Sequence, residues 1–212
     1  AIVALLLFGR RVAPGVFAGA FFVNLAMDEP WYTAVGIAVG NTLGPLAGAV
    51  FLSRVMRIDV TLARVRDVLA FVAFGAIGSM LITATNGVAC LAASGIVDWS
   101  RYFSVWWVWW VGDAMGVLIV GPFLLTWAAD PVVAWRNTRL IEWLALFGSL
   151  GLTSRFLFWS PMPLTYAVFP FAVWAALRFG QRETTSATLL IAVGAVWGQI
   201  HQQGPFSHGS ED

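Results

Sequence analysis

Asp113 sits where a carboxylate is hardest to place. The residues around it read VWWVWWVGDAMGVLIVGPF, apolar on both sides of one acid. It falls 11 residues into the apolar run 102–128. That is roughly 17 Å along a helix, close to the middle of a ~30 Å hydrocarbon layer. Its helical neighbours at i−7, i−4, i−3 and i+3 are Trp106, Trp109, Trp110 and Gly116, three indoles above the acid and a glycine below. A carboxylate at that depth is costly and marks a ligand contact, a proton site or a cation site. The competing reading is an aspartate whose hydrogen bonds lock two helices together. Other runs hold Asn24, then Asn41 and Thr42, then Ser79, Thr83, Asn86 and Cys90 at heptad spacing with Thr85 beside them. Each alone reads as an interhelical hydrogen bond, about 0.6 kcal/mol on average. Together they predict a polar cluster about Asp113, and Asp113, Trp110, Asn41, Asn86 and Trp106 form a candidate signal or ligand pocket.

Other chemistries find no support in the residues. His201 and His208 stand in a glycine-rich tail without acidic or thiol partners in a ligand pattern. There is no phosphate-cradling glycine loop, no HExxH and no GxSxG. The single cysteine, Cys90, lies in an apolar run and has no partner for an internal disulfide. No catalytic residue, metal site or nucleic-acid partner is expected, and the residues name no cofactor.

The elements that must position Asp113 follow from composition. Hydrophobic residues make up 59% of the 212 and charged ones 11%, against about 25% charged in a soluble domain. The mean hydropathy is +0.80. A soluble fold of this size hides only about 70% of its chain's surface, too little for 12 Trp and 16 Phe among so many aliphatic residues. A soluble enzyme, a disordered chain and a nucleic-acid binder are thereby disfavoured, and a membrane-embedded protein is left. Apolar runs at 1–9, 12–27, 31–55, 67–96, 102–128, 139–158, 161–179 and 184–202 predict an all-α, polytopic helix bundle of about eight membrane segments. The runs are too long and continuous for the ~10-residue alternating strands of a membrane barrel. The first run, AIVALLLF, falls short of the ~20 residues of a crossing. A single integral-membrane domain over 1–212 is expected, truncated at both ends, with no soluble output domain inside it.

Gly36, Gly40, Gly44 and Gly48 recur at i+4 spacing in the third run. Such a stripe lets another helix approach closely. Gly15 with Gly19, and Gly112 with Gly116, repeat the pattern; helix packing within the chain is the expected use of all of them. Pro45, Pro122 and Pro170 lack an N–H and so free the carbonyls of Asn41, Leu118 and Tyr166. Each marks a kink or a cavity wall.

Arginine placement predicts orientation. All the cations are arginine, and ten of the twelve fall in alternate breaks: Arg10, Arg11, Arg54, Arg57, Arg64, Arg66, Arg136, Arg139, Arg178 and Arg182. The other breaks hold Arg101 and Arg155 with Asp28, Glu29 and Asp98. Basic loops stay cytoplasmic, so the arginine-rich ends are expected inside a bacterial inner (plasma) membrane and the tail 203–212 outside it. Trp31, Tyr32, Trp99, Tyr102 and Trp159 would line the outer interface, Trp127 and Trp135 the inner one. Arg155 is expected to snorkel to the surface. The stretch RIDVTLARVR at 57–66 reads as a short amphipathic piece on the inner surface.

The order of motifs carries a resemblance. The stretches ALLLFGRRVAPGVFAGAFFVNLA (4–26), GIAVGNTLGPLAGA (36–49), LARVRDVLAFV (62–72), VWWVGDAMGVLIVGPFLLTW (108–127), FPFAVWAALRFGQR (169–182) and WGQIHQQGPF (197–206) cover nearly the whole chain. In this order they are similar to the membrane-associated sensor domain of the first class, an integral-membrane input module of bacterial signalling proteins. The piece with Trp110, Gly112, Asp113, Gly116 and Pro122 is the most specific. The resemblance implies a multi-helix bundle that passes a signal to a cytoplasmic output domain, commonly a histidine kinase or a diguanylate cyclase, sometimes a cyclic-di-GMP phosphodiesterase. It also implies helices before Ala1 and after Asp212. It supplies no catalytic residue and no established ligand residue. The leading expectation is thus a sensory input domain of two-component or cyclic-di-GMP signalling. Its partners would be the lipid bilayer, its output domain, and a second copy or another membrane protein. Two alternatives stand beside it. One is a structural or accessory subunit of a membrane complex, with the tryptophans and glycine stripes as contact surface. The other is a transporter or channel in which Asp113 carries a proton or ion, disfavoured by the lack of an internal repeat.

Overall fold

The computed structural model describes residues 1–129, 137–159 and 165–201. Among these residues every regular element is a helix. We number them α1 (Ile2–Phe8), α2 (Ala13–Leu25), α3 (Trp31–Met56), α4 (Val65–Ala93), α5 (Trp99–Ala129), α6 (Asn137–Trp159), α7 (Phe169–Arg178) and α8 (Gln181–Ile200). They follow the apolar runs closely except at 161–179, where α7 begins only at Phe169 after a 3-10 turn over Thr165–Val168, and the chain is an all-α, polytopic membrane protein. The physical reason is that lipid offers no hydrogen bonds, so a helix that satisfies its own backbone is the solution an apolar run of this length takes. Among the described residues four helices are long and apolar enough to cross a bilayer: α3, α4, α5 and the stretch Leu140–Leu157 of α6. With 13 and 10 residues, α2 and α7 are shorter than the ~20 of a perpendicular crossing. Phe103 is 80% exposed and Leu177 83%. Apolar side chains turned outward to that degree suit a lipid surround rather than water.

Pro45 and Pro122 lie inside α3 and α5. The kink expected at Pro170 is not found. Pro170 occupies the first turn of α7, where an N–H has no helical acceptor and a fixed φ favours the helix start.

The chain forms two compact units, Ala1–Leu125 and Thr126–Asp212. The first has a core that includes Ile2, Leu5, Leu52, Leu62, Phe71 and Leu125, with Val12 and Met56 packed on it. That cluster ties the α1–α2 turn to the end of α3 and the start of α4. Arg10, Arg11, Arg54, Arg57, Arg64 and Arg66 flank these segments in sequence, so they gather at one end of the unit. There α3 and α4 both widen into π-helix, over Phe51–Met56 and Phe71–Gly78, and the Phe51 and Phe74 rings meet at 4.6 Å. Of the segment 57–66, read as a short amphipathic piece, residues 57–64 form an anchored turn and α4 begins at Val65. Arg57 and Leu62 take left-handed φ angles of 47° and 54°. The Thr61 N–H donates to Asp59 Oδ1 at 2.9 Å, which holds the Asp59 carboxyl below the usual range. A leucine in that conformation is strained by about 1–2 kcal/mol; burial of the Leu62 side chain in the core offsets this.

The second unit has its core at Leu146, Leu150, Leu157, Val168, Ala175 and Ala187. Arg178 grips Glu142 with two hydrogen bonds, of 2.7 and 3.0 Å. Arg182 lies 4.3 Å over the Trp127 ring, whose Nε1 donates to Ser186 Oγ at 3.1 Å. Arg155 is exposed. The expected interface residue Trp135, Arg136, the side chains of Arg139 and Trp159, His208 and the tail 203–212 lie outside the described residues.

Candidate functional site

Two seams of the first unit determine what is left free around Asp113. The α3–α4 seam is built on the four-glycine stripe. A Cβ on Gly36 would stand 2.6 Å from Cys90 Sγ, one on Gly48 2.7 Å from Ser79 Cβ, and one on Gly44 2.7 Å from the Ser79 carbonyl oxygen. Gly40 faces Asn86 in the same way. Each glycine of α3 thus accommodates one member of the heptad-spaced polar set of α4. Without side chains on α3, its carbonyls come within reach: Asn86 Nδ2 donates to Gly36 O at 2.7 Å and Thr83 Oγ1 to Gly40 O at 3.5 Å. Ser79 Oγ donates within its own helix, to Gly75 O at 2.6 Å.

The α4–α5 seam is aromatic. Tyr102, Trp106 and Trp110 stand at i, i+4 and i+8, one stripe of α5. The Tyr102 hydroxyl donates to Thr85 O at 3.1 Å, Trp106 Nε1 to Thr85 Oγ1 at 3.0 Å, and Trp110 Nε1 to Ile77 O at 3.1 Å. Trp109 lies against Gly87, where a Cβ would come to 2.8 Å from the ring. One turn further on, Trp109 Nε1 donates to Asp113 Oδ2 at 3.1 Å.

Beside these seams lies a cavity of about 680 Å³, lined by residues of α1 to α5. Asp113 of α5, Asn41 of α3 and Thr83 of α4 supply its polar wall, with Pro45 of α3 beside them. Gly15 and Gly19 of α2 and Gly112 and Gly116 of α5 also line it. At Gly112 and Gly116 the described residues do not make the expected helix packing. A Cβ on either, or on Gly15 or Gly19, would meet nothing within 4 Å among the described residues. No described helix presents side chains to these glycines, and among the described residues they widen the cavity instead of closing a seam.

Of the five residues expected in a pocket, Asp113 and Asn41 come together on this cavity. Asn86, Trp106 and Trp110 are not among its lining residues; their donors are spent on Gly36, Thr85 and Ile77. Asn24 and Thr42 bond their own helices, at Ala20 O and Ala38 O. Three residues were not singled out for the pocket and belong to the site: Trp109, Thr83 and Pro45. The i−4 spacing of Trp109 from Asp113 was the available signal. Asp67 was missed as well. It is fully buried at the head of α4, 3.5 Å from Arg66 Nη2.

The polar groups at the cavity keep unused hydrogen-bonding capacity, with the Asn41 side-chain amide making no hydrogen bond among the described residues. Asn41 Oδ1 is buried without a donor. Asp113 Oδ1 receives none from the described residues, in contrast to Oδ2. Pro45 deprives the Asn41 carbonyl of its helical N–H. No arginine lines the cavity. Among the described residues no group of three His, Cys, Asp or Glu is placed to hold a metal ion.

Neither a curated protein nor a solved structure matches the chain. A family model does, over residues 1–212. The bundle of apolar helices with a polar cavity in its first unit is therefore a member of the MASE1 family of membrane sensory input domains.

Proposed function

We propose that the chain receives a stimulus at the Asp113–Asn41 cavity and passes it, through its helices, to a cytoplasmic histidine kinase or diguanylate cyclase joined to it in the parent protein. The observation that carries this reading is an acid and an amide with unused hydrogen-bonding capacity at a cavity between membrane helices, in a chain of a sensory family. A stimulus that prefers one helix arrangement shifts the population toward it. The π-helical stretches of α3 and α4 and the proline turns at Pro45 and Pro122 supply helices that are not uniformly hydrogen-bonded, and so can change register at modest cost. The arginine-flanked end of the first unit faces the cytoplasm of a bacterial inner membrane, as the charge bias of basic loops favours, and the opposite end faces outward. The 1–212 chain acts as one sensory domain, and a second copy or another membrane protein is its partner in the bilayer.

The test is output. Asp113→Asn and Asn41→Ala in the full-length protein should each change kinase or cyclase activity while leaving the amount of membrane-inserted protein unaltered. Normal output from both variants would remove the cavity from the signalling path.

A further inference from the structure

We infer that the Asp113 cavity binds an apolar molecule carrying a protonated amine, with the carboxylate as its counter-ion. This deepens the proposed function, and its role in signalling rests on that reading; the binding itself does not.

Three observations converge. First, Asp113 Oδ1 is an acceptor on the wall that receives no hydrogen bond from the described residues, beside the Asn41 carbonyl that Pro45 leaves free and the Asn41 side-chain amide, which can donate as well as accept. An ammonium, with three donors and a positive charge, is the head group that complements an unpaired carboxylate beside a freed carbonyl. Second, no arginine lines the cavity. A carboxylate or phosphate ligand would meet Asp113 without compensation, and like charges held close are strongly unfavourable where water is scarce. A neutral alcohol satisfies one acceptor but leaves the carboxylate unpaired. Third, the rest of the wall is apolar, with Met80, Val16, Val117 and Val120 among its residues. At about 680 Å³ it falls inside the ~300–1,000 Å³ of small-molecule sites.

Entry has a route. Gly15, Gly19, Gly112 and Gly116 are exposed, and nothing stands where their side chains would be. The rim between α2 and α5 is thus bare backbone on the apolar outer face. An alkylammonium lying in the bilayer can slide its chain between these glycines and bring its head to Asp113.

The experiment uses the full chain in lipid nanodiscs, with octylamine, octanol and octanoate as probes. Binding is followed by calorimetry and by tryptophan fluorescence, since Trp109 bonds Asp113 directly. Octylamine should bind saturably and at least about tenfold more tightly than octanol, a charge-assisted hydrogen bond's worth of selectivity; octanoate should not bind. Asp113→Asn, measured in discs of the same lipid so that partitioning cancels, should erase the preference. Gly116→Leu, which fills the space, should abolish saturable binding while the helical circular dichroism stays the same. Equal binding of octylamine and octanol, an octylamine isotherm unchanged by Asp113→Asn, or no saturable binding of octylamine to a folded chain would each overturn the proposal. Output separates the two readings. Asp113-dependent amine binding with output unchanged by Asp113→Asn would keep this site and remove its signalling role. Altered output without amine binding would keep the sensor and discard the ligand class.

Discussion

Two glycine stripes in the first unit carry the same spacing and do opposite things. Along α3, Gly36, Gly40, Gly44 and Gly48 are filled by Cys90, Asn86, Thr83 and Ser79 of α4. Along α5, no described residue fills Gly112 and Gly116, which border a cavity, as Gly15 and Gly19 do on α2. The missing side chain allows either outcome. What decides is the facing helix. Small polar side chains at heptad spacing turn the α3 stripe into a seam, because each finds a bare carbonyl or a bare Cα to meet. No such set faces Gly112 and Gly116, and the space persists. Helix packing in lipid relies on contacts and hydrogen bonds rather than on expelling water, so an unfilled stripe is not forced shut.

The largest test of this contrast is Gly44→Ala. Its methyl would stand 2.7 Å from the Ser79 carbonyl oxygen, a backbone atom that moves only if α4 does. A loss of about 1–3 kcal/mol is expected, read as a lower unfolding midpoint in detergent titration. Asn86→Ala should do less. It deletes the 2.7 Å bond to Gly36 O but leaves the glycine contact, so about 0.6–1.7 kcal/mol is expected by the same titration. Gly116→Ala should do least. Its methyl meets nothing within 4 Å, and alanine is the better helix former by up to about 1 kcal/mol, so the midpoint should hold or rise. A destabilised Gly116→Ala protein would mean that the α5 stripe is packed after all, and a neutral Gly44→Ala that the α3–α4 seam is loose.

The helices were legible in the sequence because lipid imposes one demand, an unbroken apolar run, and the runs at 31–55, 67–96 and 102–128 meet it plainly. The α3 stripe was legible for the same reason, four glycines on one face being hard to use otherwise. Membership of the cavity was legible only in part. Depth and polarity find Asp113 and Asn41, but they do not tell which neighbour offers each group a partner. Trp106 and Trp110 share a face with Asp113 in sequence, yet their N–H groups reach across to Thr85 and Ile77 of α4. Trp109, which bonds the acid, differs from them by a rotation of about 100° per residue around the helix, and that rotation is fixed by Gly87, on another helix. Pro170 misled because a proline says where an N–H is missing but not whether the helix has begun.

The central claim is that the Asp113 cavity of the first unit receives the signal. It is tested most directly by the specific kinase or cyclase activity, per membrane-inserted molecule, of the full-length protein carrying Asp113→Asn. Coupling energies between sites are commonly 1–3 kcal/mol, so a change of at least about fivefold is predicted, in either direction. An activity equal to that of the unaltered protein, at equal insertion, would contradict it.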